Sequence, residues 1–153
     1  MNRVPSSVTA APCPAGIDGS RHTRESQTVV IVVDESRERR AAIGTVLRAD
    51  GHHVVEVSDA AQLLSRLMCA VALRRHPEPV AVVADPRASV CAVLEMLRAA
   101  RWRLALVFVT RGDERPPAGE LGALATFRVP VDLRALRRTV AAALESPRMT
   151  PST

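Results

Sequence analysis

Four side chains with chemistry to offer stand where apolar runs end. Val29-Val30-Ile31-Val32-Val33 leads into Asp34-Glu35, Val80-Ala81-Val82-Val83-Ala84 into Asp85, and the run from Leu104 to Val109 into Thr110. Brought together, they would form an acidic pocket with a hydroxyl at its rim. Clustered carboxylates repel one another unless a proton or a cation stands between them, so such a pocket asks for a positive charge. Taken singly, Asp34 and Glu35 would also serve as first-turn acids that favour a helix dipole.

The elements that must position these residues alternate strand and helix. Strand one is read at 28–33, and helix one follows Ser36 as N-cap, with Ile43, Val46 and Leu47 on one face. It stops near Asp50-Gly51, where glycine suits the position after a helix end. Strand two is 53–57, and helix two starts around Ser58-Asp59, where Asp59 with Gln62 resembles a capping box. Leu63, Leu64, Leu67, Met68 and Val71 give helix two a broad apolar face, and Pro77 and Pro79 end it. Strand three is 80–84. Helix three covers about 89–100, with Val90, Val93, Leu94 and Leu97 at helical spacing.

Strand four is 104–109. The stretch from Arg111 to Gly122 is rich in Gly, Pro and charge, and leaves room only for a short fourth helix at about 118–124. Strand five is about 125–129. Asp132 caps helix five, whose stripe is Leu133, Leu136, Val140 and Leu144. Nearly continuous apolar strands fit a parallel sheet covered on both faces. Repeated strand–helix units then give a three-layer α/β/α sandwich. In such folds ligands sit at the carboxyl ends of the strands, which is where the three acids and Thr110 fall.

The 153 residues suit one domain, read at 28–145 between disordered tails at 1–27 and 146–153. No apolar run reaches membrane-spanning length, and the N-terminal stretch lacks an apolar segment fit for a signal peptide. A cytoplasmic protein with no membrane contact is expected. Net charge is +5, and all 21 basic side chains are arginine, with no lysine. That bias suits a GC-rich genome and is weak support for nucleic-acid binding. Aromatic content of 2%, with no Tyr, argues against a base-stacking surface. Cys13, Cys69 and Cys91 form no CxxC pair, and Cys69 and Cys91 read as buried reduced thiols. His22, His52, His53 and His76 show no metal-ligand spacing.

With these residues in place, 28–145 resembles a response-regulator receiver domain of the chemotaxis-regulator type. Asp34-Glu35 after strand one matches the family's acidic pair, and Ala84-Asp85 its phosphoacceptor. Leu94-Glu95-Met96-Leu97-Arg98 is similar to its third helix, Thr110 matches its Ser/Thr, and Val129-Pro130 its Lys-Pro. The resemblance implies a flavodoxin-like fold with strand order 2-1-3-4-5. It implies that Asp34, Glu35, Asp85 and the backbone carbonyl of Arg87 would hold Mg²⁺. Asp85 would accept a phosphoryl group from a phosphohistidine donor, and Thr110 would bond it.

The departures fall on the activation machinery. Val129 stands at the lysine position and has no charge for Asp85 or a phosphoryl oxygen. Thr126 stands at the switch-aromatic position, and the fourth helix is shortened. Of the neighbouring cations, Arg128 should project away, because strand neighbours point to opposite faces. Arg111 is the better stand-in, able to lay a guanidinium over the carboxylates. Arg37, Arg39 and Arg40 on helix one, with Arg134, Arg137 and Arg138 on helix five, form a basic face that could meet an anionic partner or simply be solvated.

The expected function is a stand-alone, degenerate receiver domain: a protein-interaction module in bacterial signal transduction, not an enzyme, independent of ordinary Asp phosphorylation. Too few residues follow helix five for an output domain, so output would pass through a protein partner. That partner, or a second copy, would dock on the helix-four, strand-five, helix-five face. The alternatives are a functional response regulator in a histidine-kinase phosphorelay, phosphorylated on Asp85, and an arginine-rich nucleic-acid-binding regulator. No Gly-rich phosphate loop follows strand one.

Overall fold

The computed structural model describes residues 28–72 and 80–145, with the side chains of 69–72 and 80 left aside. The anticipated tails, Cys13, His22, His76, and the prolines expected to end helix two lie outside the described residues. The Cys69 and Val71 side chains lie outside them too.

Strands and helices alternate strictly: β1 Val29–Val33, α1 Arg37–Ala49, β2 His53–Val57, α2 Ala60–Ala72, β3 Val80–Ala84, α3 Ala88–Ala99, β4 Leu104–Thr110, α4 Ala118–Leu121, β5 Ala125–Arg128 and α5 Leu133–Glu145. The strands form one parallel sheet of order β2-β1-β3-β4-β5. This is the expected flavodoxin-like sandwich.

The period-two geometry of a strand divides the apolar runs between two faces. Ile31, Val33, Val82, Ala84 and Phe108 pack with Leu63, Leu67, Val90, Leu94, Leu97 and Leu121 from α2, α3 and α4. Val30, Val32, Ala81, Val83, Val107 and Val109 pack with Ile43, Leu47, Leu136 and Val140 from α1 and α5. The runs are continuous because both faces are covered.

Local signals close the elements. Ser36 Oγ accepts from the Arg39 N–H at 3.3 Å, and Asp132 Oδ1 accepts from the N–H groups of Arg134 and Ala135. Asp59 Oδ1 accepts from the Gln62 N–H at 2.8 Å, and Gln62 Oε1 reaches back to the Ser58 N–H at 3.0 Å. The capping box therefore closes one residue further out than its usual form. At the end of α1, Gly51 (φ 88°) donates to Arg48 O and His52 donates to Leu47 O, which is a Schellman turn.

Three expectations change in detail. The fourth helix is a single turn, ended by Gly122 in the left-handed region at φ 68°. Val129 lies just beyond β5, its N–H donating to Thr110 O at 2.9 Å. Met68, read as part of the apolar face of α2, is 60% exposed, because it falls outside the Leu63–Leu67 stripe that meets the sheet. Among the described residues no helix is long and apolar enough to cross a membrane.

Candidate functional site

The register Val33↔Ala84 sets the ends of β1 and β3 side by side. The ladder runs one residue further, with Asp34 N–H donating to Val57 O and Asp85 N–H to Val33 O. Asp34 and Asp85 are thereby fixed by main-chain bonds at the carboxyl edge of the sheet, at 2% and 7% exposure. Glu35, one residue beyond the strand, is exposed.

Each of the three acids meets an arginine. Arg39 grips Asp34 in a fork, Nε donating to Oδ2 at 2.5 Å and Nη2 to Oδ1 at 2.6 Å. The Ser36 N–H also donates to Oδ1 at 2.8 Å. Arg87 Nε donates to Asp85 Oδ1 at 2.8 Å, its Nη2 to Ser58 O at 2.8 Å, and its Nη1 lies 3.6 Å from Glu35 Oε2. Arg111 Nη2 lies 2.8 Å from Glu35 Oε1. Asp85 Oδ2 has no hydrogen-bond partner among the described residues.

These contacts stabilise the charged arginines. The bond to Asp34 holds the Arg39 guanidinium above its ordinary pKa, against the opposing effect of burial. The bond to Asp85 does the same for Arg87. Forked arginine–carboxylate pairs combine charge with directional hydrogen bonds.

The remaining anticipated residues are placed less centrally. Thr110 is 1% exposed, and its hydroxyl is directed at Phe127 O, 3.4 Å away. Val129 is 39% exposed, and Thr126 is exposed on β5 opposite Phe108. The Val129–Pro130 peptide is cis. Arg128 lies 3.5 Å from Asp113 and bonds to none of the pocket acids.

The basic face on α1 and α5 is reduced. Arg39 turns to Asp34, Arg40 Nη1 donates to Asp34 O at 2.6 Å, and Arg137 bonds Asp50. Arg37, Arg134 and Arg138 remain exposed. The sequence reading missed the side-chain roles of Arg39 and Arg87. Their signal was proximity, five residues after Asp34 and two after Asp85.

Asp34, Glu35, Asp85 and the Arg87 carbonyl do not fit a divalent ion in this arrangement. Mg²⁺ demands near-octahedral oxygen ligation, yet both oxygens of Asp34 and one of Asp85 already accept from guanidinium groups. Among the described residues no group of three or more His, Cys, Asp and Glu could hold a metal ion. The same holds for His52 and His53; His52 Nδ1 instead pairs with the Thr28 hydroxyl at 2.5 Å.

Neither a protein-family model nor a curated protein sequence matches the chain. Solved structures do. A response regulator receiver protein from Burkholderia phymatum is 25% identical with a TM-score of 0.65, over 79% of this chain and 98% of its own. The response regulator StyR is 25% identical with a TM-score of 0.64 over 78% of this chain, which spans only 60% of the StyR chain. The chemotaxis response regulator CheY4 of Vibrio cholerae shares the fold at 17% identity and a TM-score of 0.57, over 77% of this chain and 99% of its own.

Proposed function

We propose that this chain, which has the fold of response-regulator receiver domains, is a degenerate receiver serving bacterial two-component signalling as a protein-interaction module. On this reading it works without ordinary phosphorylation of Asp85 and is not an enzyme. The observation that carries the proposal is the pairing of Asp34, Glu35 and Asp85 with Arg39, Arg111 and Arg87 of the same chain. Phosphoryl transfer is accelerated by cations that stabilise charge as it moves. Here the available cations are already neutralising the acids, and the lysine position is Val129.

The partner would be a signalling protein, such as a histidine kinase, in the cytoplasm. The α4–β5–α5 side suits docking, because the single turn of α4 leaves Leu124 and Thr126 exposed along β5. A second copy of the chain could use the same side.

Incubation with acetyl phosphate and Mg²⁺, followed by intact mass measurement, tests the reading. The expected result is no added phosphoryl group, and unchanged partner capture by Asp85→Asn. A mass increase of one phosphoryl group that disappears in Asp85→Asn would overturn it.

One observation favours a second reading, a working receiver phosphorylated on Asp85. Asp85 Oδ2 has no hydrogen-bond partner among the described residues, and Arg87, bonded to Oδ1, stands beside it as a potential clamp for a phosphoryl oxygen. The same mass measurement decides between the two.

A further inference from the structure

We infer that Arg39 and Arg87 take the place of a divalent cation in this pocket, so that the chain excludes Mg²⁺ and holds its loops together without metal. The inference rests on the reading of the chain as a degenerate receiver and concerns the state of that same acidic site.

The donor set argues for substitution. A divalent ion at the end of β1 and β3 would need oxygens of Asp34 and Asp85. Asp34 is buried, and each of its oxygens accepts from Arg39. Withdrawing that fork would leave a guanidinium without its partner beside the incoming ion, and like charges at such distances repel strongly in a partly buried site. Arg39 starts from the first turn of α1, whose backbone is fixed by Ser36, so its guanidinium is launched within reach of Asp34.

Arg87 supplies the mechanical part. Its side chain leaves the β3–α3 loop and touches Asp85 after β3, Glu35 after β1 and Ser58 O after β2. One guanidinium thus joins the ends of β1 and β3, which a shared ion would otherwise have to join, and adds the end of β2. Arg111 extends the lacing to the β4–α4 loop through Glu35. Glu35 lies between two arginines, so no acid of the trio is left free of a cation.

The test uses the full chain titrated with Mg²⁺ while Tm is followed, and with Mn²⁺ while backbone amide signals are followed by NMR. In the wild type, Tm should be the same in millimolar Mg²⁺ and in EDTA. The amides of 34–36 and 85–87 should keep their line widths in Mn²⁺. In Arg87→Gln, a loop substitution, Mn²⁺ should broaden those amides selectively and Mg²⁺ should raise Tm. Arg39→Gln should do the same.

Selective broadening in the wild type would overturn the inference. So would failure of both variants to gain metal binding, because the arginines would then not be what excludes the ion. Metal binding in the wild type without a phosphoryl mass increase sinks this inference and leaves the proposed function standing. A phosphoryl mass increase on Asp85 in EDTA does the reverse.

Discussion

Arg39 reaches back from the first turn of α1 to hold both carboxylate oxygens of Asp34, at 2.5 and 2.6 Å. The acid is among the most buried polar groups described, and its partner is also largely covered. Removing one member of such a pair leaves the other charge buried without compensation, at a cost of about 3–5 kcal/mol. Arg39→Met should therefore lower stability by about that amount in urea denaturation. Asp34→Asn combined with Arg39→Met should recover most of the loss, since Asn can still accept from the Ser36 N–H. A double variant no more stable than Arg39→Met would show that the pair contributes through packing instead of charge.

The ends of α1 and α3 share one geometry but not one residue. Gly51 at φ 88° follows α1, and Arg101 at φ 61° follows α3, each inside a Schellman turn. A side chain in the left-handed region costs about 1–2 kcal/mol. Gly51→Ala, which meets no neighbouring atom, should destabilise by about 1 kcal/mol for backbone reasons alone. Arg101→Gly should stabilise by about 1 kcal/mol, read as a rise in Tm. Equal and opposite signs are the expected pattern, and two losses would contradict it.

Asp50 caps α1 and bonds Arg137 of α5, Nε to Oδ2 at 2.9 Å. That bond is the main cause holding the Asp50 carboxyl below the usual carboxylate range. A carboxyl depressed in the folded state contributes stability above its unfolded pKa and loses it as pH falls through the folded value. The pair is partly exposed, so the increment is small. Asp50→Asn should melt slightly below wild type at neutral pH, and the gap should close as the solution is acidified below the ordinary aspartate range. A gap that stays constant with pH would refute the linkage.

Val129 is 39% exposed, next to the end of β4 through its bond to Thr110 O, so a lysine can be accommodated there with little change in stability, about 0.5 kcal/mol or less. Restoring that charge alone should not restore labelling of Asp85 by acetyl phosphate, because Asp85 Oδ1 still accepts from Arg87. Labelling of Val129→Lys, seen by intact mass, would mean that the lysine was the only missing part.

The sheet was legible because its signals are local or periodic. β1, β3 and β4 are short apolar runs bounded by turns, and Ser36, Gly51 and Asp132 mark helix ends through their own backbone bonds. The positions of Asp34 and Asp85 follow from the runs that precede them. The arginines were legible only in part. Arg111 was read as the better stand-in for the lysine, and its guanidinium pairs with Glu35 alone of the three acids among the described residues. Arg39 was read as one of several charges on a helix face, and Arg87 only for its carbonyl. A long flexible side chain at a helix start or in a loop can face solvent or turn inward. Burial of Asp34 and the position of Ser58 O decide between these, and both depend on contacts distant in sequence. The end of α4 was missed by three residues, because Gly122 stops the turn that Ala123 and Leu124 would otherwise extend.

The pocket cations belong to the chain, and a guanidinium does not lose its proton in a protein. A receiver that draws its ion from solution and its phosphoryl group from a donor can gauge the supply of both. On the proposed reading, with Arg39, Arg87 and Arg111 in those places, the site has nothing to gain or release as conditions change. On that reading, the quantity left to vary is the number of copies, and synthesis and degradation become the way the message is written and erased.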